Sequence, residues 1–379
     1  MVPGAAADVI RLAHPPVDER DLAAVATVLR SGWLVQGPEV KAFEAETARL
    51  AGAAHGVAVS NGTAALHLAL LAMGIGPGDE VAVAAYSWPA TANAVVLCGG
   101  TPVFVDIEPG TMGMDPRRLE ALLDGRDTIR AVLPVHAFGG FANMAVIRPI
   151  ADAHRVPILE DSACALGAQL GGRPAGSWGT AACFSFHARK VVTTGEGGAV
   201  VTDDKALADR VRALRNHGQD PNCAEPDFVL AGFNCRMTEF QGALGRLQLA
   251  KLPDLIAAHR RVRNWYAELL QELPLELPTA LEPDAHVYQA YVVLLPRAAA
   301  ARRREIIARL RAGGVEATIG THHIPLITYY RRQGGYAPGD FPVTDDLAGR
   351  ALALPMHHAL TRDEAVTVAD ALRAALDVA

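Results

Sequence analysis

Short runs of β-branched and apolar residues recur through the first half of the chain, at 57–59, 81–84, 103–105, 131–135, 156–159, 183–186 and 199–201, and stretches with helical apolar spacing separate them. That alternation predicts an α/β fold whose large domain holds a mainly parallel, seven-stranded sheet. Runs such as Val156-Pro157-Ile158-Leu159 are apolar at successive positions, as expected of strands buried on both faces. After Glu239 the period changes. Phe240, Leu244, Leu247 and Leu249 lead into Leu255 and the basic Arg260-Arg261-Val262-Arg263, which predicts long helices leaving the large domain. The chain therefore divides into residues 1–252, an N-terminal segment with the large domain, and residues 253–379, a smaller C-terminal α/β domain. Its last element opens on Thr361-Arg362-Asp363-Glu364, a capping box, before a helical stripe of Ala365, Val368, Ala369, Leu372 and Leu376.

Composition narrows the function. A chain of 379 residues, 50% of them hydrophobic, can bury a large core. A formal charge of −6 argues against a general nucleic-acid partner, so recognition of any anion has to be local. Cys98, Cys164, Cys183, Cys223 and Cys235 are an odd, scattered set without a C-x-x-C pair. Neither a disulfide framework nor a metal site is expected from them, and they suit a reducing cytoplasm. Residues 1–12 contain Asp8 and Arg11 and lack the apolar run of a secretory leader. The most apolar stretch, 81–98, is interrupted by Pro89 and carries Ser87, Thr91 and Asn93; it reads as strand, turn and helix, and no membrane partner is expected.

Two residues carry the chemistry. Lys190 lies in the segment Phe184-Ser185-Phe186-His187-Ala188-Arg189-Lys190, and Asp161 ends the buried-looking strand before it. Open α/β sheets bind ligands at the carboxyl ends of their strands. A lysine there can hold a cofactor aldehyde, and an aspartate facing a pyridine nitrogen keeps that nitrogen protonated so the ring can withdraw electrons. Together they point to pyridoxal 5'-phosphate.

Weaker signals surround this pair. Ser60-Asn61-Gly62-Thr63 between a strand and a helix is either a phosphate cradle or an ordinary helix cap. Trp88 is a stacking face or a core tryptophan. Ser185 is a phosphate ligand or a strand serine bonded to backbone. His187 is a substrate contact or a histidine satisfied locally. Gly195-Glu196-Gly197-Gly198 is a tight turn that also lets backbone approach a ligand.

In order along the chain, Ser31-Gly32-Trp33 with Gly37-Pro38, Asn61-Gly62-Thr63, Ser87-Trp88, Glu160-Asp161, the lysine segment, Gly232-Phe233-Asn234-Cys235-Arg236-Met237-Thr238-Glu239 and Leu354-Pro355-Met356-His357 resemble the sugar aminotransferases of the DegT/StrS type, fold type I pyridoxal-phosphate enzymes. The resemblance implies that Lys190 binds the cofactor covalently and moves protons once free, that Asp161 pairs with the ring nitrogen, and that Trp88 stacks on the ring. It implies that Gly62, Thr63 and Ser185 hold the phosphate, and that Asn234 reaches the phosphate of the neighbouring subunit in a homodimer with shared active sites. Cys164 stands where the family usually has a glutamine near the ring hydroxyl, Cys235 replaces a tyrosine, and His358 a proline. His187 and His323 are carried as candidate substrate contacts. The implied reaction moves an amino group from an amino acid, L-glutamate in the family pattern, to a keto sugar. The Thr193-Thr194-Gly195-Glu196-Gly197-Gly198 form favours a nucleotide-linked 4-keto-6-deoxy sugar. A 3-keto sugar, an aminocyclitol ketone and a pyridoxamine-dependent dehydration are the alternatives, and the last is disfavoured because that branch has histidine in place of the lysine. A catalytically silent member is disfavoured by the joint presence of Lys190, Asp161, Trp88 and Asn234. An unrelated dinucleotide-binding enzyme is disfavoured because no G-x-G-x-x-G follows the first strand.

Overall fold

A computed structural model describes residues 9–377. The first eight residues, part of the stretch read above as carrying no leader, lie outside the described residues.

The seven apolar runs become strands: β1 (His55–Val59), β2 (Glu80–Ala84), β3 (Thr101–Val105), β4 (Ile129–Leu133), β5 (Leu159–Asp161), β6 (Ala181–Ser185) and β7 (Gly198–Thr202). A four-stranded ladder, β1-β7-β6-β5, and a three-stranded one, β4-β2-β3, are joined by parallel bridges from Val132 to Ile158 and from Val135 to Asp161. The order across the whole is β3-β2-β4-β5-β6-β7-β1, and only β7 runs against its neighbours. The fifth strand starts at Leu159, later than the apolar run, because Pro157 has no N–H for a ladder. Pro157 offers only its carbonyl, to Val132 N at 2.9 Å. Asp161 is the last residue of β5, at the carboxyl edge of the sheet.

Helices α1 (Glu19–Ser31), α2 (Pro38–Leu50), α3 (Gly62–Ala72), α4 (Ala90–Leu97), α5 (Pro116–Gly125), α6 (Met144–His154) and α7 (Lys205–Arg215) belong to the same half of the chain. They are followed by α8 (Glu239–Leu269), 31 residues long, with Pro253 inside it. Leu249, Leu252 and Leu255 of α8 belong to the core beneath the large sheet, whereas Val262 and Tyr266 belong to the C-terminal core. The 252/253 boundary thus falls within one helix, and we place the division of the cores between Leu255 and Val262. The C-terminal core is closed by the antiparallel sheet β8-β10-β9 (Tyr291–Leu294, Ala351–Leu354, Thr318–Ile319) with α9 (Arg303–Ala312) and α12 (Arg362–Asp377), whereas α10 (Thr328–Gly334) and α11 (Pro342–Arg350) pack through Tyr330 and Leu347 on the cores of the large sheet. The capping box at α12 forms as its sequence dictates: Glu364 accepts from Thr361 N at 2.8 Å, and Thr361 Oγ1 accepts from Glu364 N at 3.2 Å.

Several of the sequence motifs hold this frame together. Glu239, buried at the start of α8, accepts hydrogen bonds from Gly37 N and Glu39 N at 2.6 Å and from Val40 N at 3.2 Å. Its carboxylate thereby satisfies the open N-terminus of α2, where a negative charge is favoured. A Cβ on Gly37 would lie 2.6 Å from Glu239 Oε1, so glycine is the residue that lets the carboxylate in. In Leu354-Pro355-Met356-His357, Pro355 O accepts from Tyr266 Oη and Met356 N donates to Leu12 O. That segment ties the N-terminal stretch to α8.

Candidate active site

The carboxyl edges of β4, β5 and β6 lie side by side, and Ser185 at the end of β6 meets Gly62 at the start of α3. Lys190 lies on the connection between β6 and β7, and this connection is fastened at its neck: Phe186 N donates to Gly197 O and Thr194 N to Phe186 O, both at 2.9 Å. Gly195 turns the chain at φ +81°, a conformation glycine adopts without penalty. The lysine backbone is therefore fixed, with Lys190 N bonded to His187 O at 2.8 Å, and the side chain supplies the reach. Its Nζ donates to Cys164 Sγ at 2.9 Å.

Asp161 is 5% exposed. Its Oδ2 accepts from Thr91 Oγ1 at 2.7 Å and its Oδ1 from Ala163 N at 3.2 Å. Burial pushes its pKa up, while the Thr91 hydroxyl, the Ala163 N–H and the nearby Lys190 and His136 hold it down. Behind it, Glu160 is fully buried and accepts from Trp178 N and Gly179 N at 2.7 Å and from Gly176 N at 3.1 Å. His136 Nδ1 accepts from Ala142 N at 3.2 Å, so its Nε2 is the donor to Glu160 Oε2 at 2.9 Å. Buried polar groups this well paired set a rigid strand end.

The helix-cap reading of Asn61-Gly62-Thr63 holds, and it leaves room for the phosphate reading. Asn61 caps α3, its Oδ1 accepting from Ala64 N at 2.8 Å. The N–H groups of Gly62 and Thr63 precede the helix's own bonding and remain available to an anion. Backbone crowding sculpts this spot. A Cβ on Gly62 would lie 2.9 Å from Ser185 Cβ and 3.2 Å from its Oγ, and one on Gly198 would lie 2.4 Å from Asn61 O. Glycines at these two positions let β6, β7 and the start of α3 close into one cradle.

Trp88 is 63% exposed, which excludes the core alternative. Its ring meets that of His322 edge-on, with centroids 5.2 Å apart, because the strands Tyr86–Ser87 and His322–His323 pair with Ser87 opposite His322. Alternation along that pair turns His323 the other way, to Asp345 Oδ1 at 3.0 Å. His323 is thus not brought to Trp88; its neighbour is. His187 accepts from Arg189 N at 3.2 Å and lies 3.8 Å from Glu196, the locally satisfied arrangement. Asn234 is exposed, on a segment fastened along β1 by Ser60 N to Cys235 O at 2.9 Å.

Sequence reading assigned no role to Thr91, His136 or His322. Thr91 had a signal: a hydroxyl inside an otherwise apolar, buried stretch needs a partner. Nothing in the order of residues says that the partner is 70 positions away.

The sequence profile of the DegT/DnrJ/EryC1/StrS aminotransferase family matches residues 15–373. The chain belongs to this family. It is similar to the GDP-perosamine synthase of Caulobacter vibrioides, 38% identical over 366 residues covering 96% of this chain and 97% of that one. Among solved structures it resembles Helicobacter pylori PseC, an aminotransferase involved in pseudoaminic acid biosynthesis (TM-score 0.91, 27% identity, 97% and 99% of the two chains). It also resembles DesI, solved with its TDP-sugar product (TM-score 0.88, 35% identity, 98% and 94%). The family member described here is an aminotransferase of fold type I that depends on pyridoxal phosphate. Its residues fit that cofactor: a helix start whose Gly62 and Thr63 N–H groups can meet an anion, a buried carboxylate bonded by the uncharged Thr91 hydroxyl and Ala163 N–H, and the primary amine of Lys190 near it. Among the described residues, no helix is long and apolar enough to cross a membrane.

Proposed function

We propose that this enzyme transfers an amino group from an amino-acid donor, L-glutamate in our reading, to a nucleotide-linked 4-keto-6-deoxy sugar, working in the cytoplasm as a homodimer with shared active sites. The observation that carries the reading is the convergence of Lys190, Asp161 and the Gly62–Ser185 cradle at one sheet edge. The names of the similar proteins, which include a GDP-linked and a TDP-linked sugar, support the substrate class, and the Thr193–Gly198 turn favours the 4-keto position.

When bound, pyridoxal phosphate supplies an aldehyde for amine exchange and a ring that withdraws electrons from the carbon losing its proton. Gly62 N, Thr63 N and Ser185 Oγ hold the phosphate, assisted by α3's dipole. The partner subunit's Asn234 completes that contact, which makes the dimer part of the site. Trp88 would stack on the ring, and Asp161 would keep its nitrogen protonated. Lys190 would hold the cofactor covalently, and its Nζ, when free, would serve as the general acid–base that takes up and returns the substrate's proton, a task its short side chain keeps local. Cys164 occupies the place beside Nζ.

Purified enzyme with glutamate and a panel of nucleotide-linked 4-keto sugars, 3-keto sugars and a cyclic ketose, read by mass spectrometry for an added amine, tests the reading. Amination of the 4-keto compounds is the expected result. Amination of the cyclic ketose alone would overturn the nucleotide-sugar assignment. Lys190→Ala is expected to bind cofactor, visible by mass and absorbance, while losing transfer by about 100-fold or more.

A further inference from the structure

Thr91 sits in the first turn of α4 and is completely buried, and Ser87 before it is 4% exposed. Threonine hydroxyls at such positions usually bond to their own helix. This one reaches across to β5, donating to Asp161 Oδ2 at 2.7 Å, while Ser87 Oγ stands 2.8 Å from Thr91 Oγ1. The direction of the chain is fixed by chemistry. An ionised carboxylate can only accept, so the Thr91 proton goes to Asp161, and the Thr91 oxygen is left to accept from Ser87. The bonds therefore run Ser87 to Thr91 to Asp161, all pointing toward the carboxylate.

We propose that Ser87 and Thr91 form a hydroxyl relay that orients Asp161 and keeps it anionic in the loaded enzyme, with Thr91 as a positioning residue acting on the cofactor ring through Asp161. The proposal rests on the reading of Asp161 as the partner of the ring nitrogen. Desolvation raises the proton affinity of the buried carboxylate and the Thr91 bond opposes it. Without that bond the shared proton moves from the ring nitrogen toward Asp161, and the ring withdraws electrons less strongly. The other charged or titratable groups facing Asp161 are Lys190 on the β6–β7 connection, His136 after β4, and Cys183 on β6. Lys190 and His136 favour the anion as well. Neither bonds to Asp161 Oδ2; the Thr91 hydroxyl does. The relay's outer end, Ser87, lies opposite His322 in the short long-range strand pair that leads into Trp88, so the same strand that leads to the ring-stacking residue also anchors the relay.

The test uses loaded enzyme carrying cofactor labelled with nitrogen-15 in the ring, in the variants Thr91→Val, Thr91→Ser, Ser87→Ala and Asp161→Asn. The readouts are the ring-nitrogen chemical shift against pH, the cofactor dissociation constant and kcat. Thr91→Val is expected to move the shift toward the unprotonated value and to lower kcat about tenfold; Thr91→Ser is expected to restore both, and Ser87→Ala to move the shift in the same direction by less. A wild-type shift in Thr91→Val together with an altered one in Asp161→Asn would overturn the relay and leave the Asp161 reading standing. An unaltered shift in Asp161→Asn would overturn both. If Thr91→Val does not fold, Ser87→Ala decides: a wild-type shift there overturns the proposal.

Discussion

At the scale of single residues, Asp161 shows how chemistry and stability pull against each other. Its carboxyl is pushed up in the folded chain mainly by burial, so between the ordinary carboxylate range and that raised value the folded state binds more protons than the unfolded one. Stability of the cofactor-free protein then falls as pH rises through this window. Asp161→Asn, which can still accept from Thr91, is expected to melt higher than wild type at pH 8 without cofactor, with the difference closing at pH 4; differential scanning calorimetry across pH checks it. Cys164 gives a second expectation at this scale. With Lys190 Nζ as its donor at 2.9 Å, its thiol is expected to react with iodoacetamide in the cofactor-free enzyme and to be shielded once cofactor is bound, as peptide mass spectrometry can read. The remaining thiols are poor competitors: burial pushes Cys98 up to about 12 and raises Cys183 and Cys235, and the bond to Asp220 raises exposed Cys223. Thiolate, not thiol, is the nucleophile.

At the scale of elements, the strands of the large sheet were legible because burial on both faces writes a continuous apolar run, and the α12 start was legible because a capping box is a local code. The reversal of β7 was not read, although the chain hints at it: parallel neighbours need a crossover of a dozen or more residues, usually a helix, and the stretch from Phe186 to Gly197 carries no helical stripe. The direction of His323 was illegible for another reason. Two adjacent histidines on a strand face opposite ways, and which one turns toward Trp88 depends on a register with Tyr86–Ser87 that only the tertiary structure sets. The glycines of the cradle bring a direct expectation. Gly198→Ala would place a methyl 2.4 Å from Asn61 O, so β7 and α3 have to part; cofactor phosphate affinity is expected to fall by about tenfold or more, with 1–3 kcal/mol of stability lost to overpacking, measured by cofactor titration and urea unfolding. Glu239→Ala acts on a different element. Removing the carboxylate that serves three N–H groups of α2 is expected to cost about 2–3 kcal/mol, again by urea unfolding, with the active-site strands unaffected in the circular dichroism of the remaining fold.

At the scale of the whole molecule, acid sensitivity and assembly follow from what is buried and what is not. Burial depresses His286 to about 3, helped by Arg263 and Arg260, and burial likewise lowers His259 and His357 to about 4. Unfolded histidine takes up protons near pH 6.5, so below that value the unfolded state binds more protons and stability declines as pH falls, by about 1.4 kcal/mol per pH unit for each such histidine until its folded pKa is reached. The thermal midpoint is expected to drop steeply from pH 6.5 to 4, and His286→Asn to flatten part of that slope. On the outside, Trp33 (61% exposed), Phe228 (60%) and Val229 (56%) are large apolar side chains left open, Trp33 just before α2 and Phe228 and Val229 on a segment fastened to Gly218 and Gln219 after α7. Under the dimer reading they are covered in solution, so Trp33→Asp with Phe228→Asp is expected to give a monomer by light scattering that retains cofactor poorly. The single helix α8 has a mechanical consequence of its own. At about 1.5 Å per residue it is a spar about 45 Å long embedded in both hydrophobic masses, and a spar does not swing like a hinge. Under the reading of Trp88 as the ring-stacking face, a substrate is expected to reach the site past Trp88 and His322 without one core closing on the other like a jaw, so the fixed contour there is expected to set selectivity among sugars.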